Sequence, residues 1–76
     1  MEPETIARLI RAALPGARVE VSGDGRHFEA LVVSPAFAGE SPLQRQRRVM
    51  AAVRAQIDSG ELHALSIQAR TPEEVA

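Results

Sequence analysis

The sequence predicts an α/β protein of the α+β kind, a single domain over residues 1–76. A three-stranded mixed sheet packs on helices in the order helix, strand, strand, helix, strand, helical stub. Three observations predict it. An apolar stripe at helical spacing opens the chain, at Ile6, Leu9, Ile10, Ala13 and Leu14. Two runs of alternating polar and apolar residues then flank Gly23-Asp24-Gly25, the pattern of a hairpin. Finally, a capped helical segment separates the second run from a third. A helix between two strands of one sheet implies a right-handed crossover, so the second and third strands should run parallel.

Each element has its local reasons. Glu2 and Glu4 stand at the positive end of the first helix dipole, and Pro15-Gly16 stops that helix. Arg18 to Ser22 alternates as a half-buried strand does. In the next strand, His27 to Val33, Phe28, Ala30 and Val32 share one face; Leu31 and Val33 make the other face apolar too toward its end. That places this strand in the centre of the sheet. Ser34-Pro35 breaks it, and Ala36 to Gly39 is a short turn or a single helical turn. Ser41-Pro42-Leu43-Gln44 reads as a capping box with proline at the first helical position. The helix it opens carries Leu43, Val49, Met50, Val53 and Ile57 as its apolar stripe and ends at Asp58-Ser59-Gly60. Leu62 to Gln68 is the third strand, and Thr71-Pro72-Glu73-Glu74 starts a last helical stub.

Composition narrows the function. With no cysteine, the chain has no disulfide, no thiol nucleophile and no thiolate metal ligand of its own. All nine basic residues are arginine and the net charge is −1, which gives no electrostatic argument for nucleic-acid binding. No apolar run approaches the ~20 residues that span a bilayer, and Met1-Glu2-Pro3-Glu4 lacks the regions of a signal peptide. The expectation is a cytoplasmic protein with no membrane contact. No Ser/His/acid set or carboxylate pair stands out, and a domain this small leaves little room for a pocket of about 300 Å³, which argues against an enzyme.

Two stretches resemble BolA-like proteins. The first is Gly23 to Phe28 followed by Val32-Val33-Ser34-Pro35-Ala36-Phe37-Ala38-Gly39. The second is Ser41 to Arg45 together with Leu62-His63-Ala64-Leu65-Ser66-Ile67 and Thr71-Pro72. The similarity covers roughly residues 5 to 74, and the short Gly-Asp-Gly turn looks more like the IbaG-type branch. The resemblance implies a fold related to the class II KH domain. It also implies partnership with monothiol glutaredoxins, in which a 2Fe–2S cluster is held by the glutaredoxin cysteine, a glutathione thiol and side chains of the BolA-like protein. The isolated protein would carry no cluster, and would be a monomer or weak homodimer.

The family's recurrent ligand is the histidine of a His-Ala motif, which here is His63. An imidazole is a neutral, borderline ligand for iron. The plainer reading of His63 is a strand-end histidine bonded to backbone. The family's second ligand comes from the loop between the first two strands, where this chain has no Cys or His within Gly23-Asp24-Gly25. His27, one position beyond Arg26, is either that ligand or a solvent-face strand residue beside Glu29. Arg45, Arg47 and Arg48 are the local positive cluster: a solvated helix face offset by nearby acids, or a contact for an acidic partner or a phosphate. The alternative function is that of a KH-like, nucleic-acid-binding transcriptional regulator. Against it stand the net charge, only two aromatic residues and the absence of the Gly-x-x-Gly clamp.

Overall fold

The computed structural model describes residues 1–76. Helix α1 runs Pro3–Ala13, with proline in its first turn and an Arg11–Glu4 ion pair at 3.1 Å along its outer side. Ile6, Ala7 and Ile10 are buried; Ala13, expected on the stripe, is exposed. Ala13 lies at the last turn, where the chain already leaves the sheet, and Leu14 takes over as the core residue of the helix end. Full burial of Ile6 and Ile10 contributes about 1.5–3 kcal/mol each. That fixes the helix to the sheet more firmly than propensity does.

Strands β1 (Arg18–Gly23) and β2 (His27–Val33) form the expected hairpin, and β3 (Ala64–Arg70) lies parallel to β2 in the order β1-β2-β3. The register Val19↔Val32, Val21↔Ala30 and Gly23↔Phe28 assigns one face to the core, continued on β3 by Leu65, Ile67 and Ala69. The other face carries Arg18, Glu20, Ser22, His27, Glu29, Ser66 and Gln68, and no helix covers it. On the core side, α1 packs over β1, and the next helix, α2 (Pro42–Ala52), packs over β3 and against α1.

The crossover begins with a 3-10 turn at Pro35–Phe37, capped by the Ser34 hydroxyl, which accepts the Ala36 N–H at 3.1 Å. The capping box at Ser41 is complete: Ser41 Oγ accepts from the Gln44 N–H, and Gln44 Oε1 accepts from the Ser41 N–H at 2.8 Å. The expected single helix is two, α2 and α3 (Arg54–Asp58), because Val53 departs to φ −118°, ψ 14°. Val53 is fully buried, so the kink turns the helix to keep this β-branched side chain in the core. Leu43 is also corrected, being 57% exposed. It stands about 240° round the helix from Val49 (six residues at 100° each), so the core line of α2 runs instead through Arg45, Val49 and Val53.

Strand β3 begins two residues later than expected, since Leu62 is not a strand residue. Its N–H donates to the Gln56 carbonyl at 3.0 Å, and its side chain, 2% exposed, plugs the core below α3. A 3-10 turn at Glu73–Val75 follows β3, held by a second reciprocal cap. Thr71 Oγ1 accepts the Glu74 N–H at 3.3 Å, and the Glu74 carboxylate accepts the Thr71 N–H at 2.7 Å.

Candidate functional site

His63 lies in the short connection between α3 and β3, and the residues on either side fix its backbone. Gly60, at φ +84°, reverses the chain after α3. Leu62 is anchored in the core before it, and after it the Ala64 N–H donates to the Arg26 carbonyl at 3.3 Å, joining the sheet. The imidazole between these anchors is exposed and makes no hydrogen bond within the chain. A fixed backbone with a free ring is the condition for a ligand offered outward.

His27 opens β2 at the same end of the sheet, since its register partner is Ala64. Its backbone is pinned by Asp24, whose carboxylate accepts the N–H groups of His27 and Arg26, both at 2.9 Å. Those two bonds, His27 foremost, hold the Asp24 carboxyl below its ordinary range. The His27 ring is exposed and also unbonded. The pleat turns His27 to the uncovered face with its partner Ala64, while His63, one position earlier, lies outside the β3 ladder. The two histidines therefore share a sheet end, and no group of three or more His, Asp or Glu side chains gathers to hold a metal ion.

The three arginines do not act together. Arg45 is turned inward, 13% exposed: its Nε donates to the Glu40 carbonyl at 3.0 Å and its Nη1 to the Ala69 carbonyl at 3.2 Å. Both Nη groups meet the Glu74 carboxylate, at 2.6 and 3.2 Å, while the guanidinium sits 5.9 Å from the centre of the Phe37 ring. The Arg45 hydrogen bonds, then the Thr71 N–H, draw the Glu74 carboxyl down to about 2, and the same contact keeps Arg45 charged above its ordinary range. Arg45 thus ties α2, the end of β3 and the final turn together. Its place four residues before Val49 on the buried line of α2 was the sequence signal for this role. Arg48 pairs with Glu40 at 2.9 Å, leaving Arg47 as the one unpaired cation of the three.

One concavity exceeds the size expected of so small a domain. A trough of about 420 Å³ runs along the uncovered sheet face between Glu20, Ser22, Glu29, Leu31, Ser66 and Gln68. Its lining includes two carboxylates, Glu20 and Glu29, and no histidine.

Comparisons with known proteins converge. The family profile described as BolA-like protein matches residues 10–74. Acid stress protein IbaG of Escherichia coli (strain K12) is 38% identical over 76 residues, covering 100% of this chain and 90% of that protein. Among solved structures, a bolA protein homologue from Coxiella burnetii superposes with a TM-score of 0.88 at 38% identity, covering 99% of this chain and 96% of that one. The BolA domain of SufE1 from Arabidopsis thaliana gives a TM-score of 0.83 at 32% identity, covering 95% of this chain and 93% of that one. No helix here is long and apolar enough to cross a membrane.

Proposed function

The chain belongs to the BolA-like family, and on that footing we propose that it is a cytoplasmic, non-catalytic binding module that shares a 2Fe–2S cluster with a monothiol glutaredoxin and glutathione. The observation that carries this reading is the state of His63: backbone anchored on both sides, ring exposed and unbonded. A structural histidine would spend at least one nitrogen on the fold. The chain's own residues fit a partial ligand set and no more. Without cysteine, and with no gathered group of metal-binding side chains, it supplies an imidazole and leaves the thiolates to the partner and to glutathione.

Replacing a thiolate by imidazole removes a negative charge from the cluster's surroundings and raises its potential. His63 is the assigned iron ligand, and His27, at the same sheet end, is the candidate for a further position. The role of this chain is to present that ring at a fixed place on the sheet rim, so that recruitment of the cluster costs little ordering. The nucleic-acid reading finds less support: Arg11, Arg18, Arg45 and Arg48 are each committed to a carboxylate within the chain. The test is to mix the chain with a cluster-loaded, glutathione-charged monothiol glutaredoxin. A mixed complex with an altered visible spectrum is expected, and His63→Ala should remove the alteration. A complex whose spectrum is indifferent to that substitution would overturn the assignment.

A further inference from the structure

Strand β3 is an edge strand, and its hydrogen-bonding parity can be read from its two ends. Ala64 N–H donates inward to Arg26, and the Arg70 carbonyl accepts inward from the Ser34 N–H at 3.0 Å. In a parallel ladder the residues that bond a neighbouring strand alternate along the chain. Ala64, Ser66, Gln68 and Arg70 therefore turn their backbone groups toward β2, and Leu65, Ile67 and Ala69 turn theirs away from the sheet. The Ala69 carbonyl is closed by the guanidinium groups of Arg45 and Arg70, at 3.2 and 3.1 Å. Leu65 and Ile67 keep both backbone groups free, and the open row they form begins two residues after His63.

We propose that this edge pairs with an extended segment of the thiol-bearing partner, which is thereby laid alongside His63; the proposal rests on the cluster-sharing reading above. Sterics select the occupant. Helix α2 lies over β3 itself, so a second copy paired antiparallel, about a two-fold normal to the sheet, would set its own α2 on the same face over a strand only about 4.8 Å away. Packed helices need about 8–10 Å between axes. A segment with no helix above it has no such conflict. Charge gives its chemistry: β3 carries Arg70 and no acidic side chain, and Arg70 has no carboxylate partner in the chain. The matching segment alternates apolar residues toward Leu65 and Ile67 and sets an acid abreast of Arg70.

Amide exchange followed by NMR on the ¹⁵N-labelled chain, alone and with glutathione-charged monothiol glutaredoxin, tests this. The expected result is an alternating pattern: the Leu65 and Ile67 amides, fast in the free chain, slow at least tenfold in the complex, while Ser66 and Gln68 are slow in both. A complex that depends on His63 but leaves Leu65 and Ile67 unprotected overturns the edge pairing and spares the cluster-sharing reading. Protection that appears in the chain alone and grows with its own concentration assigns the edge to a second copy and overturns the proposal. No complex at all removes both.

Discussion

Gly23→Ala should cost the protein stability, because the Phe28 ring and the His27 carbonyl already occupy the place of a side chain there. Gly23 ends β1 opposite Phe28, whose ring is 1% exposed and lies across the place where a side chain would be. A Cβ built there falls 2.5 Å from the His27 carbonyl oxygen and 2.9 Å from Phe28 Cγ, and meets the ring edge closer still. Carbon atoms rest at about 3.5–4.0 Å, so the ring must shift by roughly an ångström in a packed core. Overpacking of this kind costs about 1–3 kcal/mol. The loss of unfolded-state freedom on replacing glycine returns about 0.4–1 kcal/mol. With a backbone carbonyl as well as a ring in the way, the cost sits at the upper end of that range, and the net is a destabilisation of about 2–2.6 kcal/mol, or roughly 8–20 °C in Tm for a domain of this size. Urea and thermal unfolding followed by far-ultraviolet circular dichroism measure it. The mechanism adds a second requirement: in a Phe28→Leu background the same substitution should cost at least about 0.5 kcal/mol less, because the obstacle is smaller. A Gly23→Ala protein as stable as the parent, or an unchanged cost in the Phe28→Leu background, would rule out this steric origin.

Other outcomes follow from the clasp at the end of β3. Because the folded state holds the Glu74 carboxyl at about 2, against an ordinary 4.5, the contact's stabilisation is full above pH 4.5. It is lost as pH falls toward 2; urea midpoints across that range should decline, and less steeply in Glu74→Gln. Arg45→Ala should lower Tm clearly and Arg45→Lys should restore it only in part, since one ammonium cannot serve Glu40, Ala69 and Glu74 together. Arg47→Ala, at an exposed position with no partner, should change stability by about 0.5 kcal/mol or less by the same denaturation assay. His63→Ala should leave the unfolding midpoint nearly unchanged, as its ring makes no hydrogen bond the fold needs, which separates a ligand's loss from a folding defect.

Much of this architecture is written in local pattern. The alternation around Gly23-Asp24-Gly25 yields β1, β2 and their shared core face, and Ser41-Pro42-Leu43-Gln44 marks the helix start to the residue. The central position of β2 followed from its apolar second half. What local pattern does not contain is angular position judged against tertiary neighbours. Leu43 and Val49 belong to different sides of α2, and only the sheet decides which side is inside. The same blindness hid Arg45. A charged residue on a core line looks like surface until Glu40, the Ala69 carbonyl and Glu74 are brought to it from three separate segments. Leu62 reads as strand from its neighbours, yet the Gln56 carbonyl claims its N–H. That shift of β3 is what leaves His63 outside the ladder. For the site, the sequence supplies the residue type and its flanking Leu62 and Ala64. The freedom of the ring is a property of the folded rim.

Cluster sharing by this chain turns on a bond between a nitrogen of His63 and iron. Histidine-selective ¹⁵N labelling of this chain alone, followed by pulsed electron paramagnetic resonance on the reduced mixed complex, looks at that bond without relying on affinity or colour. The expected result is a strongly coupled ¹⁵N nucleus that vanishes in His63→Ala and persists in His27→Ala. A reduced cluster with no strongly coupled nitrogen from this chain, or one whose coupling survives His63→Ala, would contradict it.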